Sequence, residues 1–303
     1  MPARPAIPIA GAGFMWRQTL RYRVLDVTGC EHGERLPHPL DIRRAAPRCC
    51  CLSLLACQLT ARNSKGQGRQ SYFLKISGEG FCSENSSVID IPKCDLIAEE
   101  IGSARDAGVD IAVVVGGGNI IRGSKLSQSG VERTRADQLG MIATNINAIV
   151  LQDSLEKLKI PTRVLSAIEI QGIVDSYTIH KCRNFLEKGF VVVLAGGTGS
   201  PYFTTDTAAA LRAVEIGADA FLKATKVDGV YSDDPIANPK AEKYDRLEYM
   251  DALGSRLNVM DATAISLSME NELPIVVFNF RIKGNISKAI IGDKIGTYVG
   301  NAE

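Results

Sequence analysis

The most informative stretch of the chain is residues 196–210, a loop of glycine, hydroxyl and acidic residues. It follows the apolar run 191–194, which predicts a buried strand, and it precedes residues 208–216, which predict a helix. Backbone N–H groups at the start of a helix lack partners within the helix and carry the positive end of its dipole. The loop therefore predicts a site for an anion such as phosphate. The alternative is a glycine turn in which Thr or Asp serves as an ordinary helix cap.

Two other loops also follow predicted strands. Residues 116–119 (Gly-Gly-Gly-Asn) follow the apolar run 111–115, and Arg122 lies close behind with a planar fork of donors for phosphate. Residues 75–80 follow a short apolar run and begin with Lys75, whose positive charge would suit a phosphate. The alternative is that Lys75 is an ordinary surface lysine. Ligands of open α/β sheets bind at the carboxyl ends of the strands. Three such loops together predict one polyphosphate site.

The elements that must position these loops are predicted from apolar periodicity. Strands are predicted at residues 72–76, 111–115, 162–165, 191–194, 220–222 and 275–278. Helices are predicted at residues 93–107, 136–157, 177–188, 207–216 and 262–270. This alternation predicts an α/β fold with an open, mainly parallel central sheet and helices on both of its faces.

Charge divides the chain near residue 70. The first 70 residues contain ten Arg, one Lys and four acidic residues, whereas residues 71–303 contain 24 basic and 30 acidic residues. Five of the eight cysteines also lie in the first part, and no apolar run reaches the roughly 18 residues that a membrane span needs. We therefore predict a non-globular extension over residues 1–70, a catalytic domain over residues 71–303, and no membrane partner.

The extension allows three interpretations. A gene model that begins too far upstream is favoured, because Arg-rich, Lys-poor and Cys-rich sequence is typical of translated non-coding DNA. A targeting peptide is the second interpretation, since such peptides are rich in Arg and poor in acids. A zinc site from residues 49–51, Cys57 and His38 is the least favoured, because adjacent cysteines lack the usual ligand spacing. The basic charge has no interleaved aromatic residues, so no nucleic-acid partner is predicted.

Two common phosphate-binding signatures are missing from the chain. No Gly-Lys dipeptide occurs, which excludes a P-loop of the G-x-x-x-x-G-K-[ST] type. The His-Arg-Asp motif of protein kinases is missing as well. Any phosphoryl transfer must use another architecture. The three scattered cysteines of the catalytic domain favour a reduced, cytoplasmic location.

Seven motifs follow one another between residues 71 and 299. They are Lys-Ile-Ser-Gly-Glu at 75–79, Gly-Gly-Gly-Asn at 116–119 with Arg-Gly at 122–123, Arg-Ala-Asp-Gln-Leu-Gly-Met at 135–141, Gly-Thr-Gly-Ser-Pro-Tyr-Phe-Thr-Thr-Asp at 197–206, Leu-Lys-Ala-Thr-Lys-Val-Asp-Gly-Val-Tyr at 222–231, Asp-Pro at 234–235, and Val-Met-Asp at 259–261. Together they resemble the bacterial-type UMP kinases of the amino-acid kinase superfamily. The resemblance implies a three-layer α/β/α sandwich, a homohexamer, and conversion of UMP to UDP in pyrimidine nucleotide biosynthesis. ATP would be the phosphoryl donor, with Mg²⁺ carried on its phosphates and no protein ligand to the metal assigned.

The resemblance also implies roles for single residues. The catalytic residues would be Lys75, Arg122 and Asp206. The ATP-binding residues would be Lys75, Ser77, Gly78, Gly118, Arg122, Thr225, Tyr231 and Asp234. The UMP-binding residues would be Gly117, Asp137, Thr198, Gly199, Ser200, Pro201, Tyr202, Phe203, Thr204 and Thr205. Within these sets, Asp137 would accept hydrogen bonds from the ribose, and Asp206 would orient Lys75 and the phosphates.

Regulation and alternatives complete the expectations. Residues 85–90 lack the glycines of relatives that GTP activates, so we expect little activation by GTP. UTP is a candidate inhibitor. One alternative is another kinase of the superfamily, acting on a small carboxylate or on isopentenyl phosphate. The other is a non-catalytic nucleotide sensor, which loss of Lys75 or Asp206 would indicate, and both residues are present.

Overall fold

The computed structural model describes residues 69–83, 88–233, 235, 237, 238, 240–254 and 260–301. The first 68 residues lie outside this part, so the predicted extension over residues 1–70 stays a prediction. Asp234, Val259 and residues 85–87 also lie outside the described residues, and what the sequence predicts for them is likewise untested.

A mixed sheet forms the middle layer of the fold. Its strands are β1 (Ser71–Ile76), β2 (Asp110–Val115), β3 (Thr162–Ser166), β4 (Asp175–Ser176), β5 (Val191–Ala195), β6 (Ala220–Thr225), β9 (Arg246–Glu248), β10 (Ile275–Asn279) and β11 (Thr297–Gly300), while β7 (Val230–Tyr231) and β8 (Lys243–Tyr244) form a separate antiparallel pair. The order is β4-β3-β5-β2-β1-β6-β10-β11-β9, and each neighbouring pair is parallel except β10 with β11. All six predicted strands are confirmed.

Helices cover both faces of the sheet. Those in the described residues are α1 (Ile91–Arg105), α2 (Gly123–Gln128), α3 (Arg133–Lys157), α4 (Ile179–Glu187), α5 (Thr205–Ile216), α6 (Tyr249–Gly254), α7 (Ala262–Glu270) and α8 (Asn285–Ile290). All five predicted helices are confirmed, with ends that differ by at most three residues from the prediction. The helices that were not predicted, α2, α6 and α8, have six residues each, which is too short to show a clear period.

Alternation along the strands divides the apolar core between the two faces. In β1, Leu74 faces a cluster that includes residues of α1, α3 and α8, whereas Phe73 faces a second cluster with residues of α4, α5 and α7. Both side chains are 0% exposed. The predicted three-layer α/β/α sandwich is confirmed. None of the helices in the described part of the chain is long and apolar enough to cross a membrane.

Helix α3 buries one face against the sheet and exposes an apolar stripe on another. The stripe consists of Leu139, Ile142, Ile146 and Ile149, which are 38–45% exposed. Spacings of three and four residues place these side chains on one face of the helix. Large apolar side chains in a row at a surface are typical of an interaction site.

Candidate functional site

The three predicted loops meet at the carboxyl ends of neighbouring strands. Strand β2 pairs with β1 on one side and with β5 on the other, so the loops that follow these strands start side by side. The first two loops pack backbone against backbone: a Cβ on Gly116 would lie 2.7 Å from the nitrogen of Gly78, and one on Gly78 would lie 2.5 Å from the nitrogen of Gly118. Only glycine allows this approach.

A buried cluster of two lysines and one carboxylate lies beneath the loops. Lys75 and Lys223 are paired in the register of β1 and β6, so their side chains lie on the same face of the sheet. Asp206, in the first turn of α5, contacts both: Oδ1 is 2.9 Å from Nζ of Lys75, and Oδ2 is 2.7 Å from Nζ of Lys223. Each lysine is only 8% exposed. Charges buried to this degree persist only when they are paired.

The cluster shifts the proton affinities of its members. Burial opposes ionisation of Asp206, but the ammonium groups of Lys75 and Lys223 outweigh burial and hold the pKa of the carboxyl below its usual value. Burial lowers the pKa of Lys223 and Lys75 adds to this effect, while Asp206 opposes it. One carboxylate between two lysines leaves a net positive charge, which suits a phosphate.

Thr204, and not Asp206, caps helix α5. Its Oγ1 accepts hydrogen bonds from the backbone N–H of Asp206 at 3.1 Å and of Thr207 at 3.2 Å. The sequence offered Thr or Asp as the cap of this helix, and the structure confirms the threonine. The Asp206 carboxylate instead forms ion pairs with the two lysines. Thr204 also donates to Asp261, which accepts from Thr207 Oγ1 at 2.8 Å and caps α7 through the N–H of Ala264 at 2.9 Å. Asp261 thus ties the starts of α5 and α7 together.

A second carboxylate, Glu79, joins two cations at the rim of the site. It lies in a 3-10 turn, Gly78–Phe81, directly after β1. One of its oxygens pairs with Nη2 of Arg122 in the second loop, and the other lies 2.5 Å from Nζ of Lys226, which follows β6. Arg122 also donates from Nε to the carbonyl of Gly118 at 3.2 Å. Ser77, the residue between β1 and this turn, has an extended backbone.

A cavity of about 270 Å³ lies between the second loop, the start of α3 and the third loop. Among the residues predicted to bind nucleotides, its lining includes Gly117, Gly118, Arg122, Asp137, Ser200, Phe203, Thr204 and Thr205. The other predicted members of the third loop, Thr198, Gly199, Pro201 and Tyr202, do not line it. The structure thus brings Asp137 and the third loop together around one space, although they are far apart in sequence.

Asp137 is anchored at one oxygen. Its Oδ2 accepts from Nε of Arg133 at 2.8 Å and from the backbone N–H of Tyr202 at 2.9 Å. The guanidinium of Arg133 also lies 5.5 Å from the centre of the Tyr202 ring. These contacts hold the third loop against the start of α3, while Oδ1 lies beside Gly123, where an added Cβ would be 2.7 Å from it. Thr198 stays within its own loop, where it bonds to the carbonyl and N–H of Ser200.

Two residues predicted to bind ATP, Thr225 and Tyr231, lie at the end of β6 and in β7. Thr225 donates to the carbonyl of Val227 at 2.7 Å, and the hydroxyl of Tyr231 in β7 donates to Asp228 at 2.5 Å. Asp228 also lines a neighbouring cavity of about 600 Å³. Thr225 and Tyr231 therefore lie on the β6 side of β1, whereas the smaller cavity lies at the loops after β2 and β5, on the other side of β1. Asp234 is outside the described residues.

The carboxylates at the phosphate loops are compatible with a Mg²⁺ ion that arrives with substrate phosphates. No group of three or more His, Cys, Asp or Glu able to hold a metal occurs within the described ranges. The carboxylates of Asp206 and Glu79 are each paired with two cations. Mg²⁺ in kinases is usually held by one or two carboxylates together with substrate phosphates, which is the arrangement these residues allow.

Sequence reasoning missed three charged residues of this site. Lys223 had a usable signal, because a lysine within an apolar strand must find a counter-charge when the strand is buried. Glu79 and Lys226 carried no such signal, since each is an ordinary loop charge until the fold brings it to the other. Their pairing becomes visible only from the structure.

The site has glycine loops at the ends of parallel strands, with two paired lysines and an aspartate beneath them. These features are typical of an α/β protein that binds and transfers phosphate. The sequence model of the amino acid kinase family matches residues 72–279, and the chain belongs to that family.

Solved structures of known enzymes resemble the chain closely. The crystal structure of UMP kinase from Bacillus anthracis is 32% identical with a TM-score of 0.75, over 77% of this chain and 97% of the other. UMP kinase from Ureaplasma parvum is 37% identical with a TM-score of 0.73, over 77% and 100%. Uridylate kinase from Archaeoglobus fulgidus is 29% identical with a TM-score of 0.59, over 77% and 100%. The resemblance predicted from the motifs is confirmed.

Proposed function

We propose that this chain is a nucleoside monophosphate kinase that transfers a phosphoryl group from ATP to UMP and releases UDP. The observation that carries the proposal is the buried cluster of Lys75, Asp206 and Lys223 beneath the three loops, beside a cavity that contains Asp137. The UMP kinases that resemble the chain at 29–37% identity support the choice of UMP.

The acceptor in this reaction needs no general base. A phosphate monoester has a second pKa of about 6, so its oxygen is already ionised near neutral pH. In agreement with this, the one histidine of the catalytic domain, His180, lies in α4 and is not among the residues that line the cavity between the loops. Catalysis then consists of aligning two anions and neutralising the charge on the transferred group.

The buried cluster supplies that neutralisation in a fixed position. Lys75 and Lys223 would face the transferred phosphoryl group, and Asp206 keeps their like charges close together at a depth where they would otherwise repel. Side chains held by burial and ion pairs need no reorganisation during the reaction, which makes their charge more effective than the same charge in water. Arg122 and the N–H groups of the glycine loops would add further donors. Mg²⁺ on the ATP phosphates would neutralise part of their charge.

The cavity beside the cluster favours a ribonucleotide as the acceptor. Asp137, which lines the cavity, would accept hydrogen bonds from ribose hydroxyls, and the helix start at Thr204 and Thr205 offers N–H groups to the phosphate. A small carboxylate or isopentenyl phosphate has no ribose for Asp137 to bind. This difference separates UMP from the other substrates of the superfamily.

A coupled assay with ATP tests the proposal against its alternatives. The panel consists of UMP, CMP, dUMP, aspartate, N-acetylglutamate and isopentenyl phosphate. We expect UDP formation from UMP, with CMP and dUMP much poorer. Preference for an acidic substrate or for isopentenyl phosphate would indicate another kinase of the family. Nucleotide binding without any turnover would indicate a sensor.

Assembly and location belong to the same proposal. A homohexamer is supported by the exposed apolar stripe of α3, which a second copy would cover. A cytoplasmic location is supported by Cys82, Cys94 and Cys182, whose thiols are free in the described domain. The product UDP places the reaction in pyrimidine nucleotide biosynthesis. UTP would inhibit by entering the UMP cavity, and GTP activation is not proposed.

A further inference from the structure

Cationic side chains at the phosphate loops are held in two pairs, each by a single carboxylate. Asp206 bridges Lys75 and Lys223, as described above. Glu79 bridges Arg122 and Lys226, which come from loops after different strands. Each carboxylate therefore stands between two positive charges, where a phosphate oxygen would otherwise be attracted.

The two pairs differ in exposure. The side chains of Asp206 and its two lysines are 10–14% exposed, whereas those of Glu79, Arg122 and Lys226 are 31–45% exposed. Removing one partner of a buried ion pair strongly destabilises the protein, because the other charge is left buried and unpaired. An exposed pair contributes little to stability and is screened by salt. An incoming polyanion can therefore displace Glu79 but not Asp206.

Glu79 occupies a position that competes with a nucleotide. It follows Ser77 and Gly78, the residues predicted to contact ATP phosphates, and its partner Arg122 belongs to the same predicted set. A triphosphate bound to Arg122 and Lys226 would meet the Glu79 carboxylate at close range. Like charges this near repel, so the two anions cannot hold the same cations together.

A second cavity could accept the Glu79 carboxylate once it is displaced. On its other side lies a cavity of about 410 Å³ that Glu79 itself helps to line. The lining also includes the cations Lys93, Arg281 and Lys283 and one further carboxylate, Glu100, which accepts hydrogen bonds from the backbone N–H groups of Gly284 and Ile286. Rotation of one side chain would move the carboxylate from the phosphate loops into this positively charged space.

We propose that Glu79 is the counter-anion that the ATP polyphosphate displaces from Arg122 and Lys226, and that it thereby sets nucleotide affinity and its dependence on Mg²⁺. The inference rests on the proposed function in taking ATP as the ligand. ATP complexed with Mg²⁺ carries less negative charge than free ATP, so the carboxylate penalises the free nucleotide more. Glu79 is a specificity-determining residue that selects the metal-bound donor.

The test measures ATP binding to the full chain by calorimetry without UMP, once with EDTA and once with Mg²⁺. We expect Glu79→Gln to tighten binding of free ATP by about two- to thirtyfold, the range for losing two exposed ion pairs, and to tighten binding of Mg-ATP less. The difference from the unmodified chain should shrink at high salt. Lys226→Gln should weaken both complexes.

Glu270→Gln, in α7, is the matched control, because it removes the same charge from an exposed position outside the loops and should leave ATP binding unchanged. Equal or weaker binding of free ATP by Glu79→Gln, with an unchanged melting temperature, would overturn the inference. Binding is measured without turnover, so the two proposals can fail separately. A chain that shows the expected shift but does not phosphorylate UMP refutes the proposed function alone. An active UMP kinase in which Glu79→Gln changes nothing refutes the inference alone.

Discussion

The sharpest test of the site is Asp206→Asn, which removes one charge from the buried cluster and little else. The side chain keeps its size, and the start of helix α5 is unaffected because Thr204 provides the cap. Lys75 and Lys223 then lie side by side in paired strands without the carboxylate that joins them. The substitution therefore separates the role of charge from the role of shape.

The cost to stability can be bounded in two ways. Removing one partner of a buried ion pair typically costs about 3–5 kcal/mol. One lysine can instead lose its proton, which at pH 7 costs about 4–5 kcal/mol for an ordinary pKa near 10.4 and less for Lys223, whose pKa burial already lowers. We expect the free energy of unfolding to fall by about 3–4 kcal/mol, which a domain with a typical stability of about 5–15 kcal/mol survives.

The effect on catalysis should be of similar size. Loss of one positioned charge in an active site typically costs about 3–4 kcal/mol, which lowers kcat by about a hundred- to a thousandfold. Because Asp206 positions the lysines that would act on the transferred phosphoryl group, kcat should fall much more than the KM for UMP rises. Coupled kinetics at pH 7 give both constants.

Denaturant unfolding at two pH values identifies the cause. The pKa of Lys223 is lower in the folded chain than in the unfolded chain. At pH values between these two pKa values the unfolded chain binds more protons, so the free energy of unfolding rises with pH. In Asp206→Asn this folded pKa drops further, so its stability deficit should narrow from pH 7 toward about pH 10. Glu270→Gln, an equal loss of charge at an exposed position, should show no deficit. Full kcat in Asp206→Asn, or stability within about 1 kcal/mol of the unmodified chain, would refute the reasoning.

Three further predictions concern proton affinity, thiol reactivity and assembly. The alkaline limb of the kcat/KM profile should lie below pH 10.5, because Lys223 of the free enzyme loses its proton earlier than an ordinary lysine; a constant kcat/KM up to that pH would contradict this. Among the three cysteines of the described residues, Cys82 should react fastest with a disulfide reagent, because burial raises the pKa of Cys94 to about 11 and of Cys182 to about 12; equal rates would show that the fold does not protect these two thiols. Ile146→Glu places a charge in the apolar stripe of α3 and should reduce the particle mass in light scattering with little loss of monomer stability, since the side chain is 42% exposed; an unchanged mass would exclude this stripe as the contact.

The sequence by itself determined the layers of the fold and the loops of the site. Strands buried on both faces read as continuous apolar runs, and the long helices between them carry their own period, so both are local signals. Glycines directly after such strands mark places where backbone approaches backbone or ligand. The ends of parallel strands gather at one edge of a sheet, so three loops could be assigned to one site without coordinates.

Tertiary structure decided which charges meet. Lys75 and Lys223 are distant in sequence and become partners only because β1 and β6 are neighbours in the sheet. Glu79 and Lys226 depend on the same strand order. An ion pair has no period along the chain, and its members are ordinary charges until the fold brings them within a few ångströms of each other. For the same reason, the apolar pattern of α3 could not reveal which of its faces the sheet would leave exposed.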